Sequence, residues 1–317
     1  MPSLQPFPSI QFTPSSYSNS YIKILPLLKP RSIPNGATLL GAHIEGPYLQ
    51  TSKRGAHNAS LFQQPSVSPT FLYSSGLSNA KLVTLAPELP NSPPLIKEFL
   101  SNGIKVSLGH SAATYAEGLS ALTAGATCLT HTLNAMSPLH HREPGLAGLI
   151  SLPESSNPPP PYFSILGDGI HLHPNVATML WRAAPHRAIL VSDSIELAGL
   201  PDGTYPGHAQ IPHPQVKAGP KATIQGTDTL IGGCCTVADA VRNLIKWSGC
   251  GVAEAVRCVN ENVVTMMGVE DQFGTLKEGR TADFVVLEED GSVRETWVGG
   301  RRVWSRSEGF QSWSPHD

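Results

Sequence analysis

The feature that most constrains this chain lies in residues 105–149, which read as strand, turn, helix, turn, strand, with a histidine closing each strand. The first strand is Val106-Ser107-Leu108-Gly109-His110 and the second is Thr127-Cys128-Leu129-Thr130-His131. Between them Ala116, Leu119, Leu122 and Thr123 fall near helical spacing, and Gly125 supplies a stop signal. Strands joined through a helix are nearly always parallel neighbours, so both imidazoles finish at the same edge of one sheet. A lone histidine there is usually a hydrogen-bonded structural residue. Two in register can share a divalent metal, and a third ligand decides the matter. Residues 38–47 provide a candidate, because that strand ends in Glu45 followed by Gly46-Pro47.

Other strands repeat the pattern. Residues 82–88 form a buried-looking strand ending in Glu88, with a helix near residues 95–101; Glu88 reads as support for the site rather than as a ligand. After a stiff loop of Ser155-Ser156-Asn157 and prolines come a strand over residues 163–171, a helix over 174–183 opened by Pro174, and a strand over 188–194. Polar groups gather at the C-terminal ends of all these strands, as in a (β/α)8 barrel. A doubly wound sheet would show a glycine-rich fingerprint after its first strand and functional groups only at a switch point. Six convincing strands and one weak one at residues 9–13 make seven. The expectation is an α/β fold, a TIM-like barrel lacking its first strand.

Residues 1–36 are rich in proline and serine and poorly defined, with a short helix possible at 21–28. The barrel is expected over 37–272. Within it, residues 200–226 form short strands or a lid. An amphipathic helix covers 236–249, with Val237, Ala240, Val241, Leu244 and Trp247 inward, and a second helix covers 252–267. Residues 274–287 and 296–304 read as two strands around Glu289-Asp290-Gly291, a β appendage over 273–306 before a tail at 307–317.

Composition excludes several classes. The net charge of −2 and the lack of a basic cluster argue against a nucleic-acid partner. No apolar run reaches the length of a membrane span, and the first residues carry no charged region followed by an apolar one. Cys128, Cys234, Cys235, Cys250 and Cys258 lack paired zinc-site spacing and read as reduced core thiols, so a cytoplasmic location is expected.

The segments HIEGP, GHSAAT, THTLNAM, HREPGLAG, DGIHLHP, LVSDS and GTLKEGRTADFVVL occur in this order over residues 37–306. The ordered set resembles the N-acetylglucosamine-6-phosphate deacetylase family of the amidohydrolase superfamily. The resemblance implies metal-dependent hydrolysis of the acetamide of N-acetylglucosamine 6-phosphate, in amino sugar catabolism. Glu45, His110 and His131 match the family's metal ligands, with Zn2+ the expected ion and a fourth position left for water. Asp193 matches the residue that takes a proton from that water and delivers it to the leaving amine. His57 resembles the residue that contacts sugar hydroxyls. Asn134 and Ala135 through their backbone, Arg142 and His171 resemble the phosphate-binding set, and arginine suits phosphate because its fork binds two oxygens. In the family the arginine comes from the neighbouring subunit, which implies a homodimer. His43, His140, His141 and His173 lie near the mouth without an assigned role.

Against the family pattern the chain is short before Glu45. Members carry about a hundred residues there, including half of a small β-sandwich and the first barrel strand, so the appendage is expected to be a sandwich remnant exposing Phe284, Val286 and Trp297. This sets a second reading beside the deacetylase: a catalytically inactive truncated barrel that binds metal or sugar phosphate without turnover. A third, an amidohydrolase acting on another amide, is opposed by THTLNAM and HREPG.

Overall fold

The computed structural model describes residues 25–30, 36–208 and 210–310, without the side chains of 309 and 310. Its centre is a six-stranded sheet in sequential order: β1 (Ala42–Glu45), β2 (Ala80–Leu85), β3 (Lys105–Leu108), β4 (Cys128–Leu129), β5 (Tyr162–Leu166) and β6 (Ala188–Val191). Every neighbouring pair is parallel. The connections place helices along one face: α1 (Pro69–Tyr73), α2 (Ser92–Ser101), α3 (Tyr115–Thr123) and α4 (Pro174–Ala183). A short 3-10 turn, Leu146–Ser151, stands between β4 and β5.

Local signals explain the helix starts. Thr114 and Glu117 form a reciprocal capping box at α3, and Pro174 opens α4 behind His173, whose ring accepts from the Asn175 amide. The helices cover the face of the sheet that carries Val83, Leu85, Val106, Leu108, Phe163, Ile165 and Leu190; Leu95, Ile96, Phe99, Leu180 and Trp181 complete this main core. Because side chains alternate along a strand, the other face carries Leu82, Thr84, Ser107, Cys128, Thr130, Ser164 and Ile189.

That inner face has two layers. Near the N-terminal ends, Cys128 and Ile189 pack with Leu82 and Val191 against Val263 and Met266 of α7 (Glu261–Met267). Nearer the C-terminal ends lies a polar ladder: His43 Nε2 meets Thr84 Oγ1 at 2.8 Å, Thr84 meets Thr130 at 2.7 Å, and Ser107 meets Thr130 at 2.5 Å. The ladder satisfies each hydroxyl within the protein, as burial demands, and it forms the floor beneath the histidines.

The sheet is that of a TIM-like barrel, but the six described strands are open, with β1 and β6 at its ends. The weak seventh strand expected at residues 9–13 lies outside the described residues, as does most of the helix at 21–28, of which a 3-10 turn at Leu25–Leu27 is seen. After β6 the chain forms an antiparallel sheet of β7 (Gly203–Tyr205), β8 (Gln215–Ala218), β9 (Lys221–Ile224) and β10 (Leu230–Gly233). A bridge between Ser194 and Gly233 joins it to the end of β6.

Three expectations need correction. The helix at 252–267 is two helices, α6 (Val252–Arg257) and α7, because the Cys258 carbonyl turns aside to accept the Leu190 amide of β6 at 3.0 Å. Before them, α5 (Val237–Ser248) follows the expected pattern, with Val237, Ala240, Val241 and Leu244 buried. The appendage has four strands, not two: β11 (Phe284–Leu287), β12 (Val293–Val298), β13 (Arg301–Ser305) and β14 (Gly309–Phe310). Gly299 and Gly300, both at positive φ, turn the chain inside the stretch read as one strand. Val286 is half-buried rather than exposed, as are Phe284 and Trp297, which stack at 5.4 Å. Phe284 and Trp297 border an apolar cleft of about 550 Å³ between this sheet, α5–α7 and residues 37–40.

Candidate active site

The site residues follow one rule of placement. His110, His131, Asp168 and Asp193 each stand two residues past the last residue of β3, β4, β5 and β6, and Glu45 ends β1. The backbone turns sharply there: φ is +48° at His110, +31° at His131 and +48° at Asp193. Non-glycine residues pay about 1–3 kcal/mol for such conformations and keep them only where the surroundings over-determine them. The turn swings each side chain over the mouth of the barrel.

Glu45, His110 and His131 are 3, 5 and 5% exposed. The Nε2 atoms of His110 and His131 lie 3.1 and 2.9 Å from Glu45 Oε1 and 3.1 Å from each other. Three lone-pair atoms so disposed suit one divalent cation: in a tetrahedral site with bonds of about 2.0–2.1 Å, ligand atoms stand about 3.3 Å apart. These three residues form a group that can hold a metal ion. His110 is fixed further, since its Nδ1–H donates to the Lys53 carbonyl at 2.8 Å, which leaves Nε2 as the free lone pair. The Nδ1 of His131 is buried without a hydrogen-bond partner.

The charges fit the same purpose. Burial alone would raise Glu45, but the close approach of His110, His131 and His57, His110 first, holds its carboxyl well below the usual range. Burial lowers His110, and Glu45 opposes it. His131 is pushed up to about 9, because its hydrogen bond and charge contact with Glu45 outweigh burial. A metal bound here would take the place of that proton, since histidine ligates in its neutral form.

Around the trio is a cavity of about 270 Å³ lined by His57, His110, His131, Asn134, Ala135, His171 and Asp193, among others. His57 Nε2 lies 3.5 Å from Glu45 Oε2, and its ring meets His110 edge-on at 4.8 Å. Burial, then the charge of Glu45, raises the Asp193 carboxyl above its ordinary value, with His131 opposing. A carboxyl shifted upward beside a metal site is suited to carry a proton in both directions. His171 donates Nδ1–H to Asp168 Oδ2 at 2.5 Å, and Asp168 Oδ1 accepts from the amides of Ile170 and His171. Burial favours the neutral Asp168, but these partners, His171 foremost, hold its carboxyl below the ordinary value.

Arg142 stands apart. It is exposed, lies outside the cavity lining and bonds the neighbouring His141 Nε2 at 2.9 Å. The structure therefore gathers every expected site residue but this one. Sequence reasoning missed two contributors: the Lys53 carbonyl, a backbone atom with no residue signature, and Asp168, visible in DGIHLHP but read only as strand. The wall built by Gln210, Ile211 and residues 228–232 falls partly within the short strands or lid expected over 200–226 and extends beyond them through β10. A hydrogen bond from Asn58 N to Gln210 O ties the His57 loop to that wall.

A half-barrel of parallel strands with a carboxylate and two histidines converging at its mouth defines a class, and a sequence profile of the Amidohydrolase family matches residues 36–303. The chain belongs to this family. It is similar to the N-acetylglucosamine-6-phosphate deacetylase of Danio rerio, 39% identical over 294 residues, covering 90% of this chain and 71% of that one. The deacetylase of the same name from Caenorhabditis elegans is 37% identical over 302 residues, covering 92% and 71%. Among solved structures, N-acetylglucosamine-6-phosphate deacetylase from Thermotoga maritima superposes with a TM-score of 0.74 at 32% identity, covering 84% of this chain and 70% of that one.

Proposed function

We propose that this protein hydrolyses the acetamide of N-acetylglucosamine 6-phosphate, releasing glucosamine 6-phosphate and acetate, as a step of amino sugar catabolism. The observation that carries the reading is the convergence of Glu45, His110 and His131 beside the cavity lined by His110, His131 and Asp193, in a chain similar to deacetylases of this name. Glu45, His110 and His131 would hold the metal, which we take to be Zn2+ from the nitrogen and oxygen donor set. When bound, it polarises the acetamide carbonyl and makes water a stronger nucleophile.

The chain's own residues do the rest. Asp193 takes a proton from the attacking water as the new carbon–oxygen bond forms. It returns that proton to the amide nitrogen, so that the carbon–nitrogen bond breaks with a neutral amine leaving. His57, beside Glu45, is placed to contact sugar hydroxyls. His171, oriented by Asp168, and the backbone of Asn134 and Ala135 are assigned to the phosphate end. Arg142 completes the phosphate contacts from the neighbouring subunit of a homodimer, a role that suits its exposed position.

We assign catalysis to residues 37–272 and a β appendage to 273–306. Cys128, Cys234, Cys235, Cys250 and Cys258 are free thiols, which suits a cytoplasmic location. No described helix is long and apolar enough to cross a membrane. The reading is tested by offering the purified chain N-acetylglucosamine 6-phosphate, unphosphorylated N-acetylglucosamine and an acetylated peptide. Acetate released chiefly from the first supports it; release from the peptide alone contradicts it.

A further inference from the structure

We infer that Glu88 is a positioning residue that sets the loops after β3 and β4 in mutual register. The inference rests on the metal and sugar-phosphate reading of the site given above. Glu88 follows β2, and its carboxylate bonds the chain just beyond His110. Its Oε2 accepts from Ser111 Oγ–H at 2.7 Å, and its Oε1 accepts from the Ala112 amide at 2.6 Å. Ser111 and Ala112 are the residues directly after His110, whose φ of +48° is one that a histidine does not hold unaided. Two hydrogen bonds to a carboxylate are the strong kind, and they fix the chain on the far side of that turn.

Ser111 is also the junction with the next loop. It is fully buried, its amide donates to the Ala135 carbonyl at 3.0 Å, and its carbonyl accepts from the Ser137 amide at 3.2 Å. Its Oγ accepts from the Ala113 amide at 2.9 Å while giving its proton to Glu88, so its hydroxyl both donates and accepts. Ala135 stands at a φ of +48° and Leu133 at +72°, so the loop that carries Asn134 and Ala135 is as tightly turned as the one that carries His110. A single carboxylate therefore reaches, through Ser111, both a metal ligand and the proposed phosphate loop. A loop without it would keep its fold but lose the common register of its two ends.

The test uses the full chain and two affinities that do not require turnover: zinc affinity by chelator competition, and affinity for the product glucosamine 6-phosphate by calorimetry. For Glu88→Ala, zinc binding weakens by roughly 10- to 100-fold, the usual effect of removing a partner behind a ligand, and sugar-phosphate binding weakens with it. Glu88→Gln, which can still accept from the Ala112 amide, recovers part of both. Ser111→Ala, a smaller change that keeps the Glu88 carboxylate, lowers both affinities and decides the matter if Glu88→Ala does not fold. Wild-type affinities in folded Glu88→Ala, or a lower melting temperature with both affinities unchanged, overturn the inference. A wild-type chain that binds no zinc sinks the metal reading instead, and Glu88 is then judged on the sugar phosphate; a wild type that binds neither sinks both.

Discussion

His110 donates its Nδ1–H to the carbonyl of Lys53 at 2.8 Å, while its own carbonyl accepts from the Gln50 amide at 2.9 Å. The segment Gln50–Lys53 therefore holds this proposed ligand by ring and by backbone, and selects the tautomer that carries its proton on Nδ1. Gly55 closes the same loop at a φ of +58°, where an added Cβ would stand 3.5 Å from His110 Cε1. Gly55→Val, strained at that φ and crowding the ring, should weaken zinc binding by about 10-fold, the lower end for disturbing an outer partner. Chelator competition measures this, and an unchanged affinity would mean that the Lys53 carbonyl does not set the ring.

Asp193 is assigned the proton and not the metal. Asp193→Asn keeps the shape but cannot accept the proton, so kcat should fall by roughly 10²- to 10⁴-fold, the range for a general acid–base group, with full zinc content and little change in KM. A variant that loses its zinc would move Asp193 into the ligand set.

The Asp168–His171 pair offers a test by pH. Asp168 has a folded pKa below its unfolded value of about 3.9, so its stabilising contribution is complete above about pH 4 and lost as the pH falls through the folded value. Asp168→Asn should cost about 2 kcal/mol at neutral pH, the scale of a buried hydrogen bond to a charged group. The gap from wild type should close in acid. Urea unfolding at pH 7 and near pH 3 measures it, and a gap independent of pH would show that the carboxylate charge is not what stabilises.

The proposed role of Arg142 across a subunit boundary is tested by mixing. Arg142→Ala and Asp193→Asn should each be nearly inactive alone. Unfolded and refolded together, they should regain about a quarter of wild-type activity, because half of the dimers are mixed and each of those has one complete site. No recovery from a mixture that forms dimers would return Arg142 to its own subunit's surface.

What the sequence made legible follows from the reach of its signals. His110 and His131 could be placed because each follows a short apolar run whose period and turn residues are local, and a parallel pair leaves only one edge for them. Glu45, proposed to share a metal with them, ends β1, 65 residues before His110, but obeys the same strand-end rule. The break between α6 and α7 was not legible, since its cause is a tertiary hydrogen bond from the Leu190 amide to the Cys258 carbonyl. Short strands or a lid were legible over 200–226, but the pairing of β7–β10 into one wall was not: each is three or four residues long, too short for alternation to show against glycine and proline, and β10 lies beyond that span. Backbone partners such as the Lys53 carbonyl leave no mark in any sequence. Resemblance, not periodicity, singled out Asp193, and the structure adds the cavity that joins it to His110 and His131.

Glu45, His110 and His131 are proposed to hold the ion on which deacetylation depends. The direct measurement is acetate release from N-acetylglucosamine 6-phosphate by the chain stripped of metal and then titrated with zinc, beside His110→Ala treated alike. The account predicts no release from the stripped protein, recovery that saturates at about one zinc per chain as expected for three protein ligands and one open position, and no recovery for His110→Ala. Acetate release that survives complete removal of metal, or zinc recovery undiminished in His110→Ala, would contradict it.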